Sequence, residues 1–302
     1  MSRRSSHSAS RKRLPILAVA ALCSLPTAHS QTASPASTTP SKRLVAADAA
    51  PVRGTVLPSS VQQGALVIGR THPAAVVEYD GRRLRVSPNG LFVLGVDRDA
   101  TGPLVVAVKP PGGSVLPHRI EVTARDWPIE RVNGAPPKTV NPPPQIAERI
   151  AREQALIVAS RKRDDAREDF AQPFVWPVRG RISGRFGNQR IYDGTPKSPH
   201  GGMDIAAPTG TPVKAPAGGI VIFAANDLYL TGGTLLIDHG AGVSSNFLHL
   251  SRIDVKVGDR VEQGQVVAAV GATGRATGPH LHWGMHCHGV RVDPLLVLEL
   301  AK

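Results

Sequence analysis

Cysteine is nearly absent from this sequence: Cys23 and Cys287 are the only two in 302 residues. Cys23 falls in an N-terminal leader, so a processed chain keeps Cys287 alone and can form no internal disulfide. Stability must then come from packing or from a bound metal. Aromatic residues are scarce too, at 4%, which leaves Val, Leu, Ile and Ala to fill the core. Long apolar runs are missing. The leader segment Leu14–Leu25 stops well short of the ~20 residues that a spanning helix needs. Acidic residues are in deficit, 23 against 36 Lys plus Arg, for a formal net charge of +13. Turn chemistry is plentiful instead: 30 Gly and 27 Pro favour short strands with tight turns over long helices.

The first 30 residues read as an export signal. Arg3, Arg4, Arg11, Lys12 and Arg13 form a basic start, Leu14–Leu25 an apolar centre, and Ala28-His29-Ser30 a small-residue cleavage site. Arg3-Arg4 fits twin-arginine export poorly because the apolar centre begins late, and the bulky Leu22 disfavours lipid attachment at Cys23. The expectation is an exported protein, periplasmic or associated with the cell envelope, with no stable membrane span in the mature chain. Losing the leader subtracts five basic and no acidic residues, so the mature chain stays basic. That charge suits an anionic surface such as cell-wall carboxylates. Export, and the lack of a dense basic-aromatic stretch, argue against nucleic acid as the partner.

Residues 31–50 are rich in Ser, Thr, Ala and Pro and read as a disordered linker. Over 51–130, short apolar runs alternate with turn signals such as Asp80-Gly81 and Pro88-Asn89-Gly90, which predicts a β-sandwich-like accessory domain. His72 and His118 are isolated there and carry no chemistry. Residues 131–173 read as a proline-rich linker followed by one surface helix over 145–170, since Ile146, Ile150, Ile157 and Val158 recur near helical spacing among charges. Lying between two β regions, that helix is either a spacer or an element that controls access to the C-terminal one. From Phe174 to the end, strand-like runs return without helical patterns between them, so 174–302 is expected to be an antiparallel β domain.

The chemistry is in that last part. His200-Gly201-Gly202-Met203-Asp204 puts an imidazole and a carboxylate four residues apart. On a straight strand that is ~13 Å, too far to share one ion, but two glycines let the chain turn. His280-Leu281-His282 directs two imidazoles to one face of a strand. In Phe247-Leu248-His249, alternation would put His249 on the same face as Phe247. His200, Asp204 and one histidine of the later pair make a donor set suited to Zn²⁺ with one position open. The two histidines left over could move a proton and stabilise developing charge.

These residues resemble the lysostaphin-type, or LytM-type, zinc endopeptidases of peptidoglycan. The likeness covers roughly 174–297. It rests on His200-x-x-x-Asp204, Phe247-Leu248-His249-Leu250 and His280-x-His282, with Ile182–Gly187 and the Val257–Gly274 run in support. It implies an all-β chain whose catalytic domain has the LytM-type, duplicated hybrid fold. It also implies one zinc per chain held by His200, Asp204 and His282, with His280 as general base and His249 stabilising the transition state or sharing the base role. The implied partner is peptidoglycan, cut at the D-alanine to diaminopimelate cross-link, by a monomer. Glycine bridges and an amidase-type bond are the other wall targets. An inactive wall-binding protein that activates amidases is the alternative, and the presence of all five functional residues counts against it. Biotinyl or lipoyl carriers would need a hairpin lysine that is lacking. Sugar-phosphotransferase carriers are cytoplasmic. His286-Cys287-His288 departs from the family pattern. It reads as a hairpin tip rather than a second metal site, and His239 reads as a turn cap.

Overall fold

The computed structural model describes residues 54–133, 141–192 and 194–300. The expected leader, the 31–50 linker and most of the proline-rich stretch lie outside the described residues. The architecture is all-β, as expected.

The first β region has seven strands: β1 (Ser60–Gln62), β2 (Leu66–Arg70), β3 (Val76–Tyr79), β4 (Arg82–Leu84), β5 (Leu91–Gly95), β6 (Leu104–Lys109) and β7 (Leu116–Thr123). They form a five-stranded sheet, in the order β1-β7-β6-β3-β4, and a two-stranded sheet, β2-β5. On β6, Leu104, Val106 and Val108 are buried while Val105 faces solvent, the period-2 pattern of a half-buried strand. Side chains from both sheets, including Val67, Val77, Phe92, Leu94 and Ile120, form one buried cluster.

The connecting segment differs from its expected form. Strand β8 (Ile129–Val132) pairs in parallel with β10 (Gln189–Tyr192), so the chain has joined the second β region before the helix begins. Helix α1 spans Pro144–Ser160, with Pro144 in the first turn, where its missing N–H costs nothing. It ends ten residues before the expected boundary. Lys162 to Phe170 then run along the surface, tied by ion pairs such as Arg85–Asp164 at 2.9 Å and Arg260–Asp169 at 2.5 Å. The charged residues that read as more helix dock this strap instead. Phe170 closes it in a short 3-10 turn, buried in the core of the second region.

That region contains β9 (Arg181–Gly184), β11 (Thr195–Pro196), β12 (Met203–Ala206), β13 (Pro212–Lys214), β14 (Gly219–Leu228), β15 (Gly232–Asp238), β16 (Val243–Leu250), β17 (Arg252–Ile253), β18 (Arg260–Val261), β19 (Val266–Ala269), β20 (His280–Cys287) and β21 (Val290–Val292), then α2 (Pro294–Glu299). The principal sheet runs β18-β14-β15-β16-β20-β12-β9, with β21 paired to β20. Every pairing in it is antiparallel. Its inner face carries Ile205, Leu235, Ile237, Phe247, Leu281 and Trp283, all fully buried. The opposite face carries polar residues, among them Asp204, Asn246 and His282.

The two cores touch: Leu66 and Val93 of the first region belong to the buried cluster of the second. At Gly95 a Cβ would come within 3.1–3.2 Å of Val292, Cys287 and Val290, so glycine permits that close approach. His239 is not a turn cap. Its ring is buried, bonded to the Gly218 carbonyl at 2.7 Å and Ser245 Oγ at 2.9 Å. Among the described residues no helix is long and apolar enough to cross a membrane.

Phe170→Ala is expected to destabilise the fold by about 3–5 kcal/mol, the usual cost of truncating a buried Phe. Leu156→Ala on α1, where Leu156 is 59% exposed, should stay within about 0.5 kcal/mol. Urea unfolding followed by tryptophan fluorescence compares the two. Similar losses in both would show that the strap is not anchored through Phe170.

Candidate metal centre

Asp204 on β12 stands directly opposite His282 on β20, and Ala206 opposite His280. Cross-strand partners share a face, so the sheet register itself brings the carboxylate to the imidazole. His200 arrives from the loop before β12. Gly202 lets that loop lie against β20, because a Cβ there would be 2.4 Å from the Trp283 carbonyl oxygen and 2.8 Å from His282 Nε2. Space is what requires glycine here, since neither Gly201 nor Gly202 adopts a positive φ.

Three donor atoms converge. His200 Nε2 is 3.0 Å from Asp204 Oδ1, His282 Nδ1 is 2.8 Å from the same oxygen, and the two nitrogens are 3.0 Å apart. All three residues are buried and form the one such group among the described residues. A tetrahedral zinc with bonds of ~2.0–2.1 Å would separate its donors by roughly 3.3–3.4 Å, so small adjustments would admit the ion. The protonation states fit as well. Burial foremost lowers the His282 pKa to about 4, against the pull of Asp204. Burial acts to raise that of Asp204, but His200 and His282 hold it well below the usual carboxylate range. An ionised carboxylate beside a neutral imidazole is the form that binds a cation.

The outer shell orients these groups. His200 Nδ1 donates to the Arg185 carbonyl at 3.0 Å, leaving Nε2 for the cluster. Asp204 Oδ2 accepts from Arg190 Nη2 at 2.5 Å, which leaves Oδ1 toward the two histidines. Arg190 also donates to Glu130 on β8 at 3.2 Å and to the Tyr192 hydroxyl at 2.9 Å. Sequence reasoning missed this relay, which runs from the segment upstream of α1 to the carboxylate. Neither Arg190 nor Glu130 sits in a motif, and only the parallel β8–β10 pairing puts them together.

His280 and His249 complete the cluster. His280 Nδ1 bonds to the Gly278 carbonyl at 2.8 Å, and its Nε2 lies 3.9 Å from Asp204 Oδ1. His249 Nδ1 bonds to the Thr273 carbonyl at 2.8 Å, and its ring is 4.8 Å from that of His280. Burial, then the charges of His280 and His282, lowers the His249 pKa to about 3. Alternation alone would have sent His249 into the core with Phe247. Instead its φ of +63° breaks the alternation and turns the ring toward His280. An uncommon, strained backbone at a polar residue marks a site of this kind, and nothing in the sequence announces it. His286, Cys287 and His288 do not converge: Cys287 is in the core, His286 lines the cavity, and His288 (φ +50°) with Gly289 (φ +88°) makes the β20–β21 turn. His72 and His118 lie in the first β region, away from the cluster.

The histidines open into a cavity of about 840 Å³. Its charged lining comprises Arg161, Arg181, Arg190, Lys197, Arg275 and Arg291 against two carboxylates, Glu130 and Asp204. The end of α1 forms part of the wall through Ile157 and Val158.

Fold and site together define a metallopeptidase. Residues 198–294 match the model of peptidase family M23. A crystal structure from Pseudomonas aeruginosa assigned to peptidase M23 is 32% identical, with a TM-score of 0.62, and the match covers 80% of this chain and 95% of that one. The chain belongs to peptidase family M23. Among curated relatives, the peptidoglycan DD-endopeptidase ShyA of Vibrio cholerae is 37% identical over 135 residues, 44% of this chain and 31% of ShyA. The cell division protein DipM of Caulobacter vibrioides is 35% identical over 170 residues, 53% of this chain and 26% of DipM. The chain thus spans about a third or less of the length of these curated relatives.

Replacing Arg190 by Ala is expected to weaken divalent-metal binding about 10–100-fold, the usual cost of losing a group that orients a ligand. Competition with a chelator measures it. Unchanged affinity would show that Asp204 keeps its orientation without Arg190.

Proposed function

We propose that this chain is an exported zinc metalloendopeptidase that hydrolyses peptide cross-links of bacterial peptidoglycan, with D-alanine–diaminopimelate as the favoured bond. The observation that carries the reading is the donor triangle with two further histidines beside it, set in a cationic cavity. Residues 1–30 serve as signal and 31–50 as linker. Residues 51–130 are an accessory domain, 131–173 connect, and 174–302 catalyse. The mature chain works as a monomer in the periplasm or at the envelope.

His200, Asp204 and His282 hold one zinc. Zinc supplies Lewis acidity there, lowering the pKa of water and polarising a carbonyl. His280 is the general base: with Nδ1 engaged by Gly278, its Nε2 faces the cluster and can take a proton from the attacking water. His249, held through Nδ1 by Thr273, shares that proton or, once protonated, donates to the charge developing on the carbonyl oxygen. Arg190 keeps Asp204 from turning away. The remaining cations attract the carboxylates of wall peptides.

Purified protein should contain about one zinc per chain by elemental analysis, and Asp204→Ala should lose most of it. Full occupancy in that variant would sink the ligand assignment. His280→Ala and His249→Ala should keep the metal yet lose about 10²–10⁴-fold in the rate of cross-link release from peptidoglycan. Wild-type rates in either would remove that residue from the chemistry, and metal loss in His280→Ala would exchange base and ligand within the pair.

A further inference from the structure

The cavity holds a second group of side chains that catalysis leaves unused. His286 is on β20 four residues beyond His282, so alternation turns both to one face with Gly284 between them. Arg291 on β21 is its cross-strand partner. Asn246 on β16 stands opposite Gly284, where a Cβ would come within 2.8 Å of its side chain. Arg161, the C-cap of α1, also lines the cavity.

Three of these side chains, His286, Asn246 and Arg161, present buried polar atoms without partners. His286 is 9% exposed and Asn246 5%. Within the cavity, His286 Nδ1, Asn246 Oδ1 and Arg161 Nε are buried with no hydrogen bond. Arg161 is drawn down to about 10 by burial and by Arg291, another cation. Arg161 and Arg291 have no carboxylate partner among the described residues. The two carboxylates in the lining, Glu130 and Asp204, are both bound to Arg190. A half-buried guanidinium beside a second one is costly unless an anion completes the group.

We propose that Arg161, Arg291 and His286 form a subsite for a carboxylate of the peptide substrate, with Asn246 Oδ1 accepting an amide N–H of the same peptide. The proposal rests on the peptidase reading, because its ligand is that enzyme's substrate. The subsite lies ~13 Å along β20 from His282, so the bound carboxylate is some residues from the scissile bond and acts in selection. Two guanidinium forks match a carboxylate in geometry as well as charge. Helix α1 then carries a substrate contact at its end and is part of the binding site.

The test is calorimetric binding of a synthetic wall-type tetrapeptide to the zinc-loaded full chain, in two forms: all carboxylates free, or all amidated. Two singly amidated forms tell a terminal carboxylate from a side-chain one. The wild type should bind the free acid about tenfold or more tightly than the amide. Arg161→Ala and Arg291→Gln should each reduce that preference, and together they should abolish it with zinc content unchanged. Arg291→Lys should keep part of it, since the charge remains. Equal binding of both forms by the wild type, or a preference that survives the double variant, would overturn the subsite. Cleavage of peptidoglycan is scored separately. Acid preference lost in the variants without any cleavage would uphold the subsite and reject the peptidase reading. Cleavage without preference would do the reverse.

Discussion

The site depends on one cross-strand pair. Asp204 and His282 face each other across β12 and β20, and their side chains meet at 2.8 Å. A slip of β12 by one residue would send Asp204 to the opposite face, away from His282, and that face is already filled by Ile205, Leu281 and Trp283. The apolar core therefore fixes the register, and the register fixes the donor geometry. His200 can join only because Gly202 lets its loop lie against the same strand.

Around that pair, electrostatics decides what the buried groups do. An ionised Asp204 in an interior position would be untenable alone. It is held by two imidazoles on one oxygen and by Arg190 on the other. Arg190 is anchored in turn by Glu130, on the strand that precedes α1. The upstream segment is thus joined to the centre by charge as well as by the β8–β10 ladder. The strap after α1 repeats this solution at the far side of the sheet, where Arg167 and Arg260 share Asp169.

Much of this is legible in the sequence alone. Short apolar runs bounded by glycine announce β14, β15, β16 and β20, strands whose side chains alternate between two faces with a period of two. The spacing of His280 and His282 announces a common face for the same reason. Three features are not legible. His249 enters the site through a left-handed backbone that its neighbours do not advertise. Arg190 and Glu130 are 60 residues apart and meet only through a parallel pairing. The residues after Ser160 look like more helix because the apolar spacing before them runs on into a charged stretch, yet here ion pairs of Asp164 with Arg85 and of Asp169 with Arg260 hold the chain in another course. In each case tertiary contacts override a local pattern.

The most direct test of the account is mass analysis of peptidoglycan fragments after digestion by zinc-loaded and by chelated protein. Zinc-loaded protein should convert peptide-linked dimers to monomers, with a new carboxylate on D-alanine and a new amine on diaminopimelate, while chelated protein leaves the dimers intact. Dimers that persist with zinc-loaded protein, or conversion that ignores zinc removal, would contradict it.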